Sequence, residues 1–224
     1  MNYKKRYLES RVQALREHFP AVVVTGARQV GKTTMIQHCC ADSVRTVTFD
    51  PVVDVGNARA EPEFFLQNNP PPVFLDEIQY APELLGPLKR RIDSSHTNGQ
   101  YVLSGSQNLS VLRTISESLA GRAGVVNLMG MSYRETAGVL EQPPFLAAWL
   151  AQRNARDAAG VALNAPFATP GVFGDEAFRG GYPGTLPMPE ELLTDYWSSY
   201  LHTYIERDVR VAADIRQLQT FGTF

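Results

Sequence analysis

The chain has 224 residues, enough for one full domain with additional segments. Hydrophobic residues make up 44% of the chain and charged residues 20%, the balance of an ordinary globular protein. The formal net charge of −2 excludes the overall basic surplus that favours non-specific nucleic-acid binding, although a local basic face stays open.

Helices and strands are predicted to alternate along the first part of the chain. Short β-branched or apolar runs indicate strands, and apolar residues three or four positions apart indicate helices. In chain order we predict a helix at 6–18, a strand at 21–25, a helix at 32–40, strands at 45–49 and 73–75, a helix at 82–94, a strand at 100–103, a helix at 110–119 and a strand at 125–128. This alternation predicts an α/β fold, a three-layer sandwich around a five-stranded parallel sheet.

Beyond this part the pattern becomes mainly helical. Helices are predicted at 132–140, 144–158 and 190–213, with a stretch rich in glycine and proline before the last one. An aromatic and aliphatic stripe runs along 192–209, and core packing is its first interpretation. We therefore expect a core at 1–130 and a mainly helical region at 131–224. The chain stops without a convincing closing element, so we expect a fragment of a longer protein.

The cysteine and apolar content predicts a reduced, cytosolic protein. The only cysteines, Cys39 and Cys40, are adjacent and cannot join distant segments. The basic start at 1–6 is not followed by an apolar run, so we expect no signal peptide. The longest apolar runs, at 125–131 and 145–151, are far shorter than the roughly 20 residues of a membrane-spanning helix. The histidines lie far apart and form no metal-ligand pattern.

The most specific motif is a phosphate-binding loop at 26–33. It matches G-x-x-x-x-G-K-[ST] completely and lies between a predicted buried strand and a predicted helix. The glycines allow close backbone approach, and the loop N–H groups and the helix start attract phosphate. We expect Lys32 at the β- and γ-phosphates and Thr33 at Mg²⁺. The predicted nucleotide-binding residues are Gly26, Ala27, Arg28, Gln29, Val30, Gly31, Lys32, Thr33 and Thr34. The fold class is therefore that of a P-loop NTPase.

Two acidic residues follow the third predicted strand. Asp76 and Glu77 end the apolar run VFL. One carboxylate can hold Mg²⁺, and the next can polarise an attacking water. Asp76 is the candidate on the metal side, together with Thr33, and Glu77 is the candidate that activates water.

Small polar residues follow the fourth predicted strand, whose tip is expected beside the γ-phosphate. Ser106 is the first candidate for orienting water, with Ser104 and Gln107 as alternatives. A simple turn is the structural interpretation of the same residues.

An arginine stands just before the fifth predicted strand. Arg122 could stabilise transition-state charge on the phosphate of a neighbouring subunit, which would make the protein a homo-oligomer. A surface or capping arginine is the alternative.

Six motifs together resemble a family of bacterial and archaeal AAA-type ATPases. They are GARQVGKTT, VFLDEIQ, LSGSQ, LAGR followed by MSYRE, GGYP at 180–183 and YIERDVR at 204–210. The resemblance spans nearly all of 5–215. It implies an ATPase core at 1–130 and a C-terminal region of uncharacterised role that extends past position 224. The loop lacks the proline that often follows its first glycine in AAA proteins, and Arg28 stands inside it.

The resemblance also implies residue roles. Lys32 and Thr33 correspond to Walker A, Asp76 and Glu77 to Walker B, Ser106 lies near sensor 1, and Arg122 corresponds to an arginine finger. It thus implies an ATPase that uses ATP and Mg²⁺.

Three functions compete at this point. The adjacent acidic pair favours ATP hydrolysis coupled to a conformational change. A P-loop kinase is an alternative, with Arg153, Arg156 and Arg179 as lid arginines but no marked acceptor site. A nucleotide-dependent interaction module would use the stripe at 192–209 as a partner surface. A GTPase is disfavoured, because the guanine-like signature at 154–157 lies inside a predicted helix. The sequence indicates neither a biological process nor a protein or nucleic-acid partner.

Overall fold

Five parallel strands form the centre of the protein. The computed structural model describes residues 3–40, 44–106, 118–141, 147, 150, 174 and 177–204. The strands are β1 (Ala21–Gly26), β2 (Arg45–Thr48), β3 (Val73–Asp76), β4 (Tyr101–Ser106) and β5 (Ala123–Asn127), in the sheet order β2-β3-β4-β1-β5. Strand β1, which lies between β4 and β5, is buried along its whole length, which explains its run of apolar residues. The predicted five-stranded parallel sheet is confirmed.

Both ends of six α-helices that accompany the sheet lie within the described residues. They are α1 (Glu9–His18), α2 (Lys32–Cys40), α3 (Pro62–Asn68), α4 (Leu85–Ser95), α5 (Tyr133–Ala137) and α6 (Leu193–Tyr204). Helix α3 was not predicted, because seven residues are too short to show a helical period. The predicted helix at 144–158 and most of the one at 110–119 lie outside the described residues.

Alternate residues of each strand pack on opposite faces of the sheet. Val23 of β1 and Leu103 of β4 share one core cluster with Leu88 of α4. Val22 of β1 shares the other cluster with Met35 of α2. Successive side chains in a strand point to opposite faces, so one apolar run supplies both clusters. The three-layer arrangement follows from this.

A buried arginine joins the N-terminal segment to the phosphate-binding loop. Arg6 is only 4% exposed. Its Nη1 donates to the Val30 carbonyl at 2.7 Å, and its Nη2 donates to the Met129 carbonyl at 2.8 Å. Its Nε donates to Glu135 Oε1 at 3.1 Å. One guanidinium therefore fixes three segments that are distant in sequence.

The partner carboxylate is held by backbone donors as well. Glu135 accepts from the N–H groups of Tyr7 and Ser132, both at 2.6 Å, and forms a capping box with Ser132 at the start of α5. Burial acts to raise the pKa of Glu135, but the two N–H donors and the Arg6 charge outweigh it. The pKa of this carboxyl is therefore lowered from its ordinary value.

The GGYP motif joins the C-terminal part to the segment after β5. The Met131 N–H donates to the Gly181 carbonyl at 2.5 Å. Gly180 and Gly181 both have a φ of 67°, and a Cβ on Gly181 would lie 2.2 Å from the Met131 carbonyl oxygen. Only glycine fits this crossing.

Two further findings concern membrane-spanning helices and the two cysteines. None of the helices in the described ranges is long and apolar enough to cross a membrane. Cys39 and Cys40 form no disulfide, and their Sγ atoms are 3.5 Å apart.

The ion pair predicts a specific dependence of stability on pH. Arg6→Ala leaves the Glu135 carboxylate buried without its cation, so we expect a loss of roughly 3–5 kcal/mol in the free energy of unfolding. Because the folded pKa of Glu135 is lowered, its contribution is complete above the unfolded pKa and is lost as pH falls through the folded value. Wild-type stability should therefore decline below about pH 5. Denaturant titrations at several pH values measure this.

Glu135→Gln should be less stable at neutral pH and should lack this part of the acid dependence. The matched control is Glu141→Gln, because Glu141 pairs with Lys5 between the same two parts of the chain but in solvent. An equal effect of the two substitutions would contradict the assignment.

Candidate functional site

The phosphate-binding loop connects the end of β1 to the start of α2. Gly26 ends the strand with a φ of 153°, and a Cβ there would lie 2.3 Å from the Leu128 carbonyl oxygen. Gly31 has a φ of 91° and Gln29 a φ of 61°. The loop therefore needs glycine at its first position because of packing, and at its second because of backbone conformation.

The loop lysine is directed back over the loop. Lys32 is 5% exposed, and its Nζ donates to the carbonyls of Gly26 at 3.0 Å and Ala27 at 2.9 Å. These contacts keep a buried ammonium satisfied within reach of the loop. The same ammonium could exchange carbonyl oxygens for phosphate oxygens.

The carboxylate of Asp76 is the polar centre of the site. Asp76 is 2% exposed and accepts from three hydroxyls on three elements. Thr33 of α2 donates at 2.9 Å to Oδ2 and Thr48 of β2 at 3.4 Å, while Ser104 of β4 donates to Oδ1. The structure thus brings together Thr33 and Asp76, the two predicted metal-side residues. A carboxylate and a hydroxyl are oxygen ligands of the kind that Mg²⁺ prefers, so this pair fits the ion.

Glu77 follows in an unusual backbone conformation. Its φ of 58° and ψ of 45° lie in the left-handed region, which costs a non-glycine residue about 1–3 kcal/mol and often marks an active site. The Glu77 N–H donates to Ser104 Oγ at 3.2 Å, and the Tyr80 N–H donates to the Glu77 carbonyl at 3.0 Å. The Gln79 amide donates to the Glu77 carboxylate. These bonds hold the turn that aims Glu77 off the strand end.

The predicted serines divide into two cases. The Ser104 hydroxyl is engaged with Asp76 and the Glu77 N–H, so it supports the acidic pair. The Ser106 backbone lies opposite Gly26 in the pairing of β4 with β1, at the edge that carries the loop. The Ser106 side chain and all of Gln107 lie outside the described residues.

Arg122 lies at the other end of the sheet. Its carbonyl accepts from the Ala21 N–H at the start of β1, whereas the phosphate-binding loop follows the end of β1. The guanidinium forms a two-pronged ion pair with Asp93 of α4, with Nη2 3.0 Å from Oδ2. Although it is paired with Asp93, the Arg122 side chain keeps 32% of its surface exposed to solvent. Within one chain, Arg122 and the loop are not brought together.

Helix α6 lies against the tip of the loop. The Tyr196 hydroxyl donates to Gln29 Oε1 at 2.8 Å, and the Tyr200 hydroxyl donates to the Arg28 carbonyl at 3.3 Å. Trp197 packs edge-on against Tyr200, with ring centroids 5.8 Å apart. Part of the predicted stripe is therefore a contact with the loop. Leu192 and Leu201 remain at least half exposed.

A cavity of about 250 Å³ lies beside the loop. It opens between the N-terminal segment, the start of α2 and the GGYP region. Its lining residues are Tyr3, Lys4, Arg6, Gly31, Thr34, Met131, Pro183 and Leu186.

Sequence reasoning missed several of these participants. Arg6 reads as one basic residue in a polar start, and only the fold shows that it is buried. Thr48 ends an ordinary edge strand. Gln79 stands in the VFLDEIQ motif, which is the one signal that could have marked it.

Comparisons with known proteins indicate the family of this chain. A family model described as an AAA domain matches residues 18–137, more than half of the chain. The uncharacterized proteins Rv2008c of Mycobacterium tuberculosis and Mb2031c of Mycobacterium bovis are each 31% identical over 136 residues, which is 60% of this chain. The chain spans only 31% of the length of these curated relatives.

A solved structure resembles the fold over most of the chain. The Walker-type ATPase PABY2304 of Pyrococcus abyssi has a TM-score of 0.53 at 16% identity, and the likeness covers 95% of this chain and 79% of that protein. At this identity the likeness concerns the fold alone. Because the family match covers more than half of the chain and contains both the phosphate-binding loop and the acidic strand end, the chain belongs to the AAA family of P-loop ATPases.

Proposed function

We propose that this chain binds ATP with Mg²⁺, hydrolyses it to ADP and phosphate, and couples this reaction to a change in its C-terminal part. One observation carries the proposal: the Thr33 hydroxyl donates to Asp76 Oδ2 at 2.9 Å, and Glu77 directly follows Asp76 at the end of β3. A P-loop hydroxyl, a buried carboxylate and a second carboxylate in this order form the arrangement that phosphoryl transfer to water requires.

Binding of the triphosphate begins with an exchange at the loop. Lys32 gives up the carbonyls of Gly26 and Ala27 and donates to the β- and γ-phosphates. The loop N–H groups and the start of α2 supply further positive charge. Thr33 and Asp76 are the residues that would hold Mg²⁺. When bound there, Mg²⁺ neutralises charge on the β- and γ-phosphates.

Hydrolysis requires a base beside the γ-phosphate. Glu77 accepts a proton from water while the water oxygen forms a bond to the γ-phosphorus. The bond from that phosphorus to the bridging oxygen breaks, and ADP leaves with the electron pair. Ser106, on the neighbouring strand end, remains our candidate for a further polar contact at this position.

We propose that the base of the nucleotide occupies the cavity beside the loop. The start of α2 at Thr34 and the apolar side chains of Met131, Pro183 and Leu186 bound this space. A flat aromatic base gains from such apolar walls, and Gly31 of the phosphate-binding loop also lines the cavity. We propose ATP over GTP as the ligand.

Arg122 is proposed to act on a neighbouring subunit. Arg122 lies at the end of the sheet opposite to the loop of its own chain. It could therefore contact only a phosphate that is bound to a second copy of the chain. Asp93 holds it in a defined orientation at the surface. A hydrolysis rate that depends on assembly would follow.

Coupling to the C-terminal part is proposed to run through α6. Tyr196 and Tyr200 contact Gln29 and Arg28, the two residues at the loop tip. A loop that rearranges around phosphate changes these contacts, and α6 leads into the part of the chain beyond Tyr204. The division into a core at 1–130 and a helical region at 131–224 is part of this proposal.

The kinase alternative gains nothing from the described lid arginine. Arg179 donates from Nη1 to the carbonyls of Thr185 at 2.9 Å and Met188 at 2.7 Å, which is a structural role in the turn after GGYP. Arg153 and Arg156 lie outside the described residues.

Substitutions at the loop and the strand end test the reaction itself. Lys32→Ala should abolish ATP binding, because the buried ammonium is the main phosphate ligand. Glu77→Gln should bind ATP normally but lose hydrolysis by about 10²-fold or more, because it lacks the base. Phosphate release and equilibrium binding measure both effects, with exposed Lys89→Ala and Glu83→Gln as matched controls. Normal turnover of Glu77→Gln would refute its role. Tight ATP binding by wild type without any turnover would favour a nucleotide-dependent interaction module.

Concentration tests the role of Arg122. If it acts in trans, the specific hydrolysis rate rises with protein concentration, and Arg122→Ala abolishes that rise. Arg90→Ala serves as the control, since it removes another exposed arginine that forms an ion pair, in this case with Glu63. Equal losses in the two variants would contradict a specific role of Arg122.

Fluorescence tests the coupling through α6. The chain has two tryptophans, so Trp149→Phe leaves Trp197, beside Tyr196, as the sole reporter. Saturating ATP should change its emission, and Tyr196→Phe should reduce that change because it removes the bond to Gln29. Tyr133→Phe, at an exposed tyrosine, should not. An ATP-independent emission in the Trp149→Phe protein would exclude the coupling.

A further inference from the structure

Gln79 has one end of its amide on Glu77 and the other end in a buried position. It lies in the 3-10 turn Ile78–Tyr80, the first of two such turns between β3 and α4. Its Nε2 donates to Glu77 Oε2. Its Oε1 is buried and accepts no hydrogen bond from any residue in the described ranges.

The orientation of this amide is fixed by its neighbour. A carboxylate only accepts hydrogen bonds, so it selects the NH₂ end of the amide and turns Oε1 away. That oxygen faces β4, since a Cβ built on Gly105 would lie 3.0 Å from it. Gly105 pairs with Thr25, one position before the strand end from which the loop starts. Oε1 therefore lies against β4, one position before its end, near the edge that carries the loop.

A buried carbonyl oxygen without a donor is unfavourable, so this position selects a small donor. Water is the donor that the proposed reaction needs there. We infer that Gln79 positions the attacking water: the water donates one proton to Gln79 Oε1 and the other to Glu77, which directs an oxygen lone pair at the γ-phosphorus. This inference rests on the proposed ATPase activity.

The chemical step keeps Gln79 unchanged. The water oxygen bonds to the γ-phosphorus, the bond to the bridging oxygen breaks with its electron pair on ADP, and the proton goes to Glu77. Gln79 Nε2 keeps the Glu77 carboxylate oriented while Oε1 orients the water. This water contact was assigned to Ser106, Ser104 or Gln107 on the sequence alone, and Ser104 is engaged with Asp76 instead.

Gln79→Leu keeps the size of the side chain and removes both polar ends. We expect kcat to fall about 10- to 100-fold, while the dissociation constant for MgATP stays within about threefold, because the residue contacts water rather than nucleotide. Affinity for ADP with aluminium fluoride, which mimics the transferred phosphoryl group, should fall as well. Gln37→Leu, at an exposed glutamine of α2, is the matched control and should change none of these values.

Gly105→Ala probes the same oxygen from the other side. Its methyl group would lie 3.0 Å from Oε1, so we expect a smaller loss of kcat that adds nothing to the loss in the double variant with Gln79→Leu. This variant also carries the test if Gln79→Leu fails to fold, and normal turnover of Gly105→Ala would then overturn the inference.

The outcomes separate the two proposals. Wild-type hydrolysis together with normal turnover of Gln79→Leu overturns the water-positioning role alone. A parallel loss of kcat and MgATP affinity also overturns it, because that pattern belongs to a structural residue. Absence of hydrolysis in wild type overturns the proposed function and this inference together.

Discussion

The buried carboxylate of Asp76 is the constraint on which the site depends. A charge at 2% exposure is tolerated only when its oxygens are satisfied, and the protein supplies hydroxyls from α2, β2 and β4 for this purpose. This requirement fixes the start of α2 against the ends of the strands. It also engages Ser104, whose Oγ in turn accepts the Glu77 N–H and stabilises the left-handed turn. The loop and both acidic residues are thus positioned by one hydrogen-bonded centre.

The second fixed point is the ion pair of Arg6 and Glu135. It holds the loop from the opposite side, through the Val30 carbonyl, and joins it to the segment before α5. The GGYP crossing then attaches the C-terminal part to the same segment. The loop is therefore enclosed by parts of the chain that lie far away in sequence. The proposed coupling would use this enclosure, in which α6 contacts the loop tip.

The family and the fold stand on different evidence from the proposed activity. AAA membership and the P-loop fold are established by the family match and the sheet. We base the proposals of hydrolysis, of assembly through Arg122 and of coupling through α6 on distances and positions within the described residues. The curated relatives are about three times as long as the part that this chain matches.

The sequence by itself determined the sheet and the chemical identity of the site. The apolar strands, the loop motif and the acidic strand end are local patterns, because a parallel sheet requires buried strands and a phosphate loop requires glycines at fixed spacing. Only the tertiary structure decided which side chains meet. The burial of Arg6, the contact of Tyr196 with Gln29 and the Gln79 oxygen that has no donor among the described residues each depend on segments that no local periodicity connects. The family resemblance links Arg122 to the phosphate-binding loop in function. Within one chain, however, the fold places the two at opposite ends of β1.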